Sequence, residues 1–212
     1  MKKNIVITIE RQYGSGGRTV GKMLAEELGI HYYDKELVRL ASDDSGISEE
    51  LFTECDERLR NQGFNMLRKE IYHGQLIPPG SPDFVSPENL FNYQAKAIKD
   101  LAKGDSCIII GRSADYVLQD FDNVVSVFVH APHWFLMQEA AKKNSLRDKE
   151  LEKFIAREDK FRSSYYEHYT GRKWFDANNY ELCLDCSKLG FDKCVEAIKA
   201  YCRVRFGEDV FD

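Results

Sequence analysis

The chain has 212 residues, 43% of them hydrophobic and 31% charged, with a formal net charge of −5. That balance suits one soluble domain with its own core and excludes a general nucleic-acid binder. No apolar run reaches the roughly 20 residues needed to cross a bilayer, and the start Met1-Lys2-Lys3 runs straight into a strand-like segment, so no membrane span or signal peptide is expected and the chain is read as cytoplasmic.

Ile5 to Ile9 is a β-branched apolar run, the pattern of a buried strand. A polar, glycine-rich stretch from Glu10 to Gly17 follows. Val20, Met23, Leu24 and Leu28 then recur at helical spacing, and Gly29 stops that helix. Ile30 to Tyr33 reads as a second strand and Asp34 to about Ser42 as a helix. Ser48-Glu49-Glu50 opens another, with a capping hydroxyl and acids in the first turn. From about Asn61 to Ser86 the pattern is weak, and a loop of that length is usually functional or mobile.

Ser86-Pro87-Glu88 opens a helix with its cap at Ser86 and proline at the first helical position, ending near Gly104. Cys107 to Ile110 and Val124 to Val129 are apolar strands. Pro132 opens a further helix, and a charged helix spans about Lys149 to His168. A fifth strand lies near Tyr180 to Leu184, and a closing helix carries Phe191, Val195, Ile198 and Cys202. Strands alternating with helices, most of them continuously apolar, indicate a parallel sheet covered on both faces. Ligands of such sheets bind beyond the carboxyl ends of the strands.

The strongest site signal is Tyr13-Gly14-Ser15-Gly16-Gly17-Arg18-Thr19, placed between a strand and a helix. Glycines let the backbone curve around phosphate oxygens, and the helix start adds free N–H groups and a favourable dipole. Arg18 supplies a cation, and Thr19 offers a hydroxyl to a metal. The bland alternative is a glycine turn with no ligand. The motif G-x-x-x-x-G-K-[ST] is absent, because Gly17 and Arg18 stand where its lysine is expected. Lys22 is one turn further on and points away in a simple helical projection.

Gly111-Arg112-Ser113-Ala114-Asp115 follows the third strand, so Arg112 is expected to reach the same cleft, with Asp115 orienting it or touching a substrate. Residues 142–173 hold ten Lys/Arg and six Asp/Glu, a local charge of +4 that leaves −9 for the rest of the chain. A basic, partly amphipathic segment in an acidic protein suits a lid over phosphates, with Arg157, Asp159 and Arg162 roughly on one face. The alternative is a solvated helix laced with ion pairs. Tyr165, Tyr166, Tyr169, Gly171 and Trp174 suggest a hinge or packing platform. His130 and His133 show no convincing partners. Cys183 and Cys186 form C-x-x-C without a second pair at metal-site spacing; they read as buried thiols, with a redox or metal role as a third, weaker reading.

The segments Tyr13 to Arg18, Leu24 to Ile30 and Tyr33 to Leu37 resemble the cytidylate-kinase-like family of P-loop proteins. Ile109 to Leu118 resembles the second hallmark of that family, and Asp159 to Arg162, Tyr165-Tyr166 and Trp174 fit its later segment. The resemblance implies a single domain over residues 1–212 with a three-layer α/β P-loop NTPase fold and a five-stranded parallel sheet in order 2-3-1-4-5. It also implies a helical acceptor-binding insertion at 35–92 and a lid at 142–173. The activity implied is transfer of the ATP γ-phosphoryl group, with Mg2+, to a nucleoside monophosphate or related phosphorylated acceptor. Gly14, Ser15, Gly16, Gly17, Arg18 and Thr19 would hold the donor, with Thr19 toward the metal. Asp34, Arg112 and Asp115 would bind the acceptor. Arg18, Arg157, Asp159 and Arg162 would act on the transferring group. The sequence departs from cytidylate kinases in lacking the loop lysine and the acids that flank their glycine-arginine pair, where Ile110 and Ser113 stand instead. A nucleotide-binding module without catalysis is therefore the second expectation.

Overall fold

The computed structural model describes residues 4–64 and 71–211. Met1 to Lys3, read above as the basic start, and residues 65–70 of the weakly patterned stretch lie outside the described residues. Five strands form one parallel sheet: β1 (Val6–Arg11), β2 (His31–Tyr33), β3 (Cys107–Ile110), β4 (Val124–His130) and β5 (Leu182–Asp185). Their order is β2-β3-β1-β4-β5, as the resemblance implied. Helix α1 (Gly17–Leu28) links the first two strands. Helices α2 (Glu36–Ser45), α3 (Glu49–Gln62) and α4 (Pro87–Lys103) lie between β2 and β3. A one-turn α5 (Ala114–Val117) follows β3, α6 (His133–Ala141) and α7 (Asp148–Thr170) follow β4, and α8 (Cys186–Phe206) closes the chain.

Alternation along β1 builds both faces of the core. Ile5, Ile7 and Ile9 pack with Val20, Leu24, Val195 and Ile198 of α1 and α8. Val6, with Cys107 and Ile109 of β3, faces Phe91 and Ile98 of α4 and Tyr165 and Tyr169 of α7. The basic segment 142–173 is thus largely one helix whose C-terminal half belongs to the core. Its tyrosines are the packing platform: Tyr169 stacks on Phe91 with ring centroids 3.9 Å apart.

Two boundaries and one thiol placement differ from the sequence pattern. The second helix starts at Glu36, because Asp34 turns to pair with Arg18. The fifth strand starts at Leu182, because Tyr180 packs on Phe128 and donates its hydroxyl to the Trp174 carbonyl. Cys183 is exposed, while the Cys186 thiol lies 3.4 Å from that of Cys194, so the C-x-x-C pair does not form one buried site.

Residues 71–85 hold no helix or strand, yet they are tied down. The fully buried Asn89 accepts from the Ile77 N–H and donates to the Ile77 and Phe84 carbonyls. Ser86 caps the same helix by accepting from the Asn89 N–H. Asn89→Ala strands all three loop groups, so it is expected to cost about 2 kcal/mol in urea denaturation.

Candidate functional site

The strand ends at Arg11, Ile110 and His130 point to the same side of the sheet, where β1 runs into the glycine loop. Gly16 caps α1 with φ 90°, a left-handed turn that brings the chain into the helix without a side-chain cap. Gly14, Gly16, Gly17, Arg18 and Thr19 line a cavity of about 90 Å³; Ser15, expected among them, is instead fully buried and donates its hydroxyl to the Gln12 carbonyl at 2.9 Å, closing the turn. Beside the cavity lies a cleft of about 540 Å³, bounded by Asp34 and Lys35, by α3 residues including Asp56 and Arg60, and by Arg112, Arg162 and Tyr165. Arg11, Tyr13, Arg18 and Arg162 line both, so the loop cavity and the cleft share a wall that holds three cations.

Each cation is held differently. Arg18 is exposed and forks onto Asp34, with Nε 2.7 Å from Oδ2 and Nη2 3.1 Å from Oδ1. Arg162 donates to the Arg11 carbonyl at 3.0 Å and lies 3.5 Å from Asp159. Burial, with the neighbouring Arg11, pulls its guanidinium down to about 10. Asp159 accepts from the Tyr13 N–H at 2.6 Å, so α7 is clipped to the start of the loop. Burial pushes that carboxyl up to about 6, against the Tyr13 N–H and Arg162, which favour its charge.

Arg112 and Ser113 both have positive φ, 60° and 52°. This turn sends Arg112 into the cleft, where both its Nη atoms bond the Asp56 carboxylate and its guanidinium lies 5.5 Å from the Tyr165 ring. Burial opposes the charge of Arg112, but Asp56 outweighs it and holds the group well above its ordinary value. Across the cleft, Arg60 bonds Glu158 at 2.5 Å.

Two expected placements are corrected. Asp115 neither orients Arg112 nor lines the cleft: the same turn carries it inward, where it is 6% exposed and accepts from the Tyr166 hydroxyl at 2.6 Å. Arg157 does not join Asp159 and Arg162. It is exposed and lies over the Phe154 ring, because two helical residues advance about 200° and turn it away from Asp159. Thr19 and the glycines lie in the loop cavity, and Asp34 borders the cleft. Among the described residues, no cluster of three His, Cys, Asp or Glu could hold a metal.

Sequence reasoning missed Arg11, Asp56 and Arg60. Arg11 reads as the polar end of a strand; the others need partners 56 and 98 residues away. It also missed the buried Glu10, which accepts from Trp174 Nε1 at 3.0 Å and from the Ser113 N–H at 3.3 Å.

The family model described as the cytidylate kinase-like family matches residues 6–188. No curated protein matches the sequence. Among solved structures, an uncharacterized protein from Eubacterium ventriosum is 24% identical with a TM-score of 0.68, covering 93% of this chain and 98% of its own. Shikimate kinase from Bacteroides thetaiotaomicron is 14% identical with a TM-score of 0.54, covering 94% and 98%. Shikimate kinase from Acinetobacter baumannii, solved with shikimate, is 12% identical with a TM-score of 0.52, covering 97% and 96%. These likenesses show the fold.

Burial, and then the charge of Glu10, push the Asp115 carboxyl up to about 7. The folded chain therefore keeps a proton that the unfolded chain releases near pH 4. The stability this group contributes is fully present below that value and is lost as pH rises toward 7. Asp115→Asn still accepts from Tyr166 but cannot ionise. Thermal melts should show the variant gaining on the wild type from pH 4 to 7, with a constant difference above that range. A pH-independent difference would contradict the assignment.

Proposed function

The chain belongs to the cytidylate kinase-like family, and on that premise we propose that it is a kinase that moves the γ-phosphoryl group of ATP onto a nucleoside monophosphate, CMP-like, or a related phosphorylated acceptor. The observation that carries this reading is the wall of Arg11, Tyr13, Arg18 and Arg162 shared by the loop cavity and the cleft. A phosphoryl group passing from donor to acceptor would cross that wall.

Phosphoryl transfer asks a protein for positioning and charge neutralisation more than covalent chemistry. The loop N–H groups would hold the donor phosphates, and the three arginines would neutralise charge that develops on the equatorial oxygens. The bond between the γ-phosphorus and its bridging oxygen breaks and leaves ADP, while a new bond forms to an acceptor phosphate oxygen. Such an oxygen is largely ionised at neutral pH, so no general base is required. Residues 35–92 would form the acceptor side, since Lys35, Val38, Asp56 and Arg60 border the cleft. Arg112 would anchor the acceptor phosphate by exchanging part of its bond to Asp56, with Asp34 beside it. The range 142–173 would close the site through Asp159 and Arg162.

Magnesium fits as an ion brought by the nucleotide, because it commonly takes one or two protein oxygens plus phosphates and water. Thr19, which lines the loop cavity, would supply one, and the bound ion would neutralise phosphate charge. The second reading, a module that binds nucleotide without transferring phosphate, draws on Gly17 standing in the lysine position.

Incubating pure protein with ATP, magnesium and a panel of monophosphates should release ADP and a diphosphate product with at least one acceptor. Nucleotide binding without transfer to any acceptor would favour the second reading. With an active acceptor in hand, Arg112→Gln should raise the acceptor KM about 10- to 100-fold and leave the ATP KM nearly unchanged. Equal rises in both would contradict an acceptor-side role.

A further inference from the structure

The phosphate-loop motif G-x-x-x-x-G-K places glycine first and lysine seventh. In this chain the same seven positions run Arg11-Gln12-Tyr13-Gly14-Ser15-Gly16-Gly17. The cation and the glycine have changed places. The structure gives the steric reason. A Cβ at position 17 would lie 2.5 Å from the Arg11 Cβ and 3.1 Å from its Cγ. No side chain fits at 17 while position 11 carries one. At the other end of the side chain, a Cβ on Gly111 would lie 3.1 Å from the Arg11 Cζ and collide with Nη1. Two glycines therefore make the channel in which Arg11 lies, its stem over Gly17 and its head against Gly111.

That head is poorly satisfied by the protein. Arg11 Nε is buried without a hydrogen-bond partner among the described residues, and the ion pair with Glu10 is long, 3.8 Å. The side chain is 11% exposed and lines both the loop cavity and the cleft. An incompletely paired buried cation at the junction of two cavities is suited to an anion that arrives there.

We propose that Arg11 replaces the missing loop lysine, reaching the transferring γ-phosphoryl group from the end of β1 instead of from the helix. The assignment rests on the kinase reading and adds its donor-side cation. A lysine would act as a point charge, whereas the arginine fork can meet two phosphate oxygens. As the γ-phosphorus leaves ADP for the acceptor oxygen, Arg11 keeps its proton and stays bonded to the moving oxygens. The exclusion between positions 11 and 17 also means that the cation can move back only if both residues change.

The test compares the wild type with Arg11→Met, which keeps the stem over Gly17, with Arg11→Gly, and with the double variant Arg11→Gly, Gly17→Lys. Folding is checked by thermal melts, ATP and ADP affinities by calorimetry, and transfer by single turnover. Arg11→Met should lose about a hundredfold in transfer. It should also lose most of any preference for ATP over ADP, since ADP lacks the group Arg11 contacts. The double variant should recover at least tenfold over Arg11→Gly. If Arg11→Gly does not fold, the double variant is compared with Arg11→Met. Wild-type transfer and an unchanged ATP-to-ADP affinity ratio in Arg11→Met would overturn the proposal while leaving the kinase reading intact. If the wild type transfers nothing, the kinase reading fails. The affinity ratio then still decides whether Arg11 meets the γ-phosphate.

Discussion

Glu10 and Arg11, consecutive residues at the end of β1, are the point on which the site depends. They carry opposite charges in a place where either one alone would be costly to bury. Glu10 is 5% exposed and gathers the Trp174 indole from the segment after α7 and the Ser113 N–H from the turn after β3. Arg11 turns the other way, across Gly17 and against Gly111. Two distant stretches of chain are thus bonded to one strand end, and the loop's own Gly17 packs beside it. Ser113 borders the cleft on one side of Arg11, and Gly17 borders the loop cavity on the other.

Beyond that strand end, the site is an arrangement of arginines with acidic partners. Arg18 rests on Asp34, Arg112 on Asp56, Arg60 on Glu158, and Arg162 lies beside Asp159. Pairing keeps the cations ordered and offsets their mutual repulsion in a partly buried cleft. It also means that a phosphate entering as proposed would exchange partners with a carboxylate. Such exchange favours a dianionic or polyanionic ligand, which can replace more than one bond at once. The clip from Asp159 to the Tyr13 N–H ties the basic helix to the loop in the same way.

Much of the frame was legible in the sequence because it rests on local patterns. Apolar runs marked β1, β3 and β4, and Ser86 with Pro87 marked the start of α4. The glycine stretch between β1 and α1 marked the loop. The strand order came from the resemblance, and the parallel sheet has it. What stayed hidden was set by tertiary contacts. The backbone turn at Arg112 and Ser113 decides that one side chain enters the cleft while Asp115 is buried, and neither residue type announces a positive φ. Tyr180 looked like the start of a strand but is claimed by Phe128 and Trp174. Arg11 was unremarkable until Gly17 and Gly111 were seen on either side of it.

In the proposed reaction, donor and acceptor phosphates meet at the wall of Arg11, Tyr13, Arg18 and Arg162. The most direct measurement is a crystal structure with ADP, magnesium and aluminium fluoride, a mimic of the transferring phosphoryl group. The ADP phosphates should lie on the N–H groups of residues 14–19, with the metal fluoride within hydrogen-bond distance of Arg11 and Arg162. ADP bound with its phosphates away from the loop, or a metal fluoride out of reach of both arginines, would contradict it.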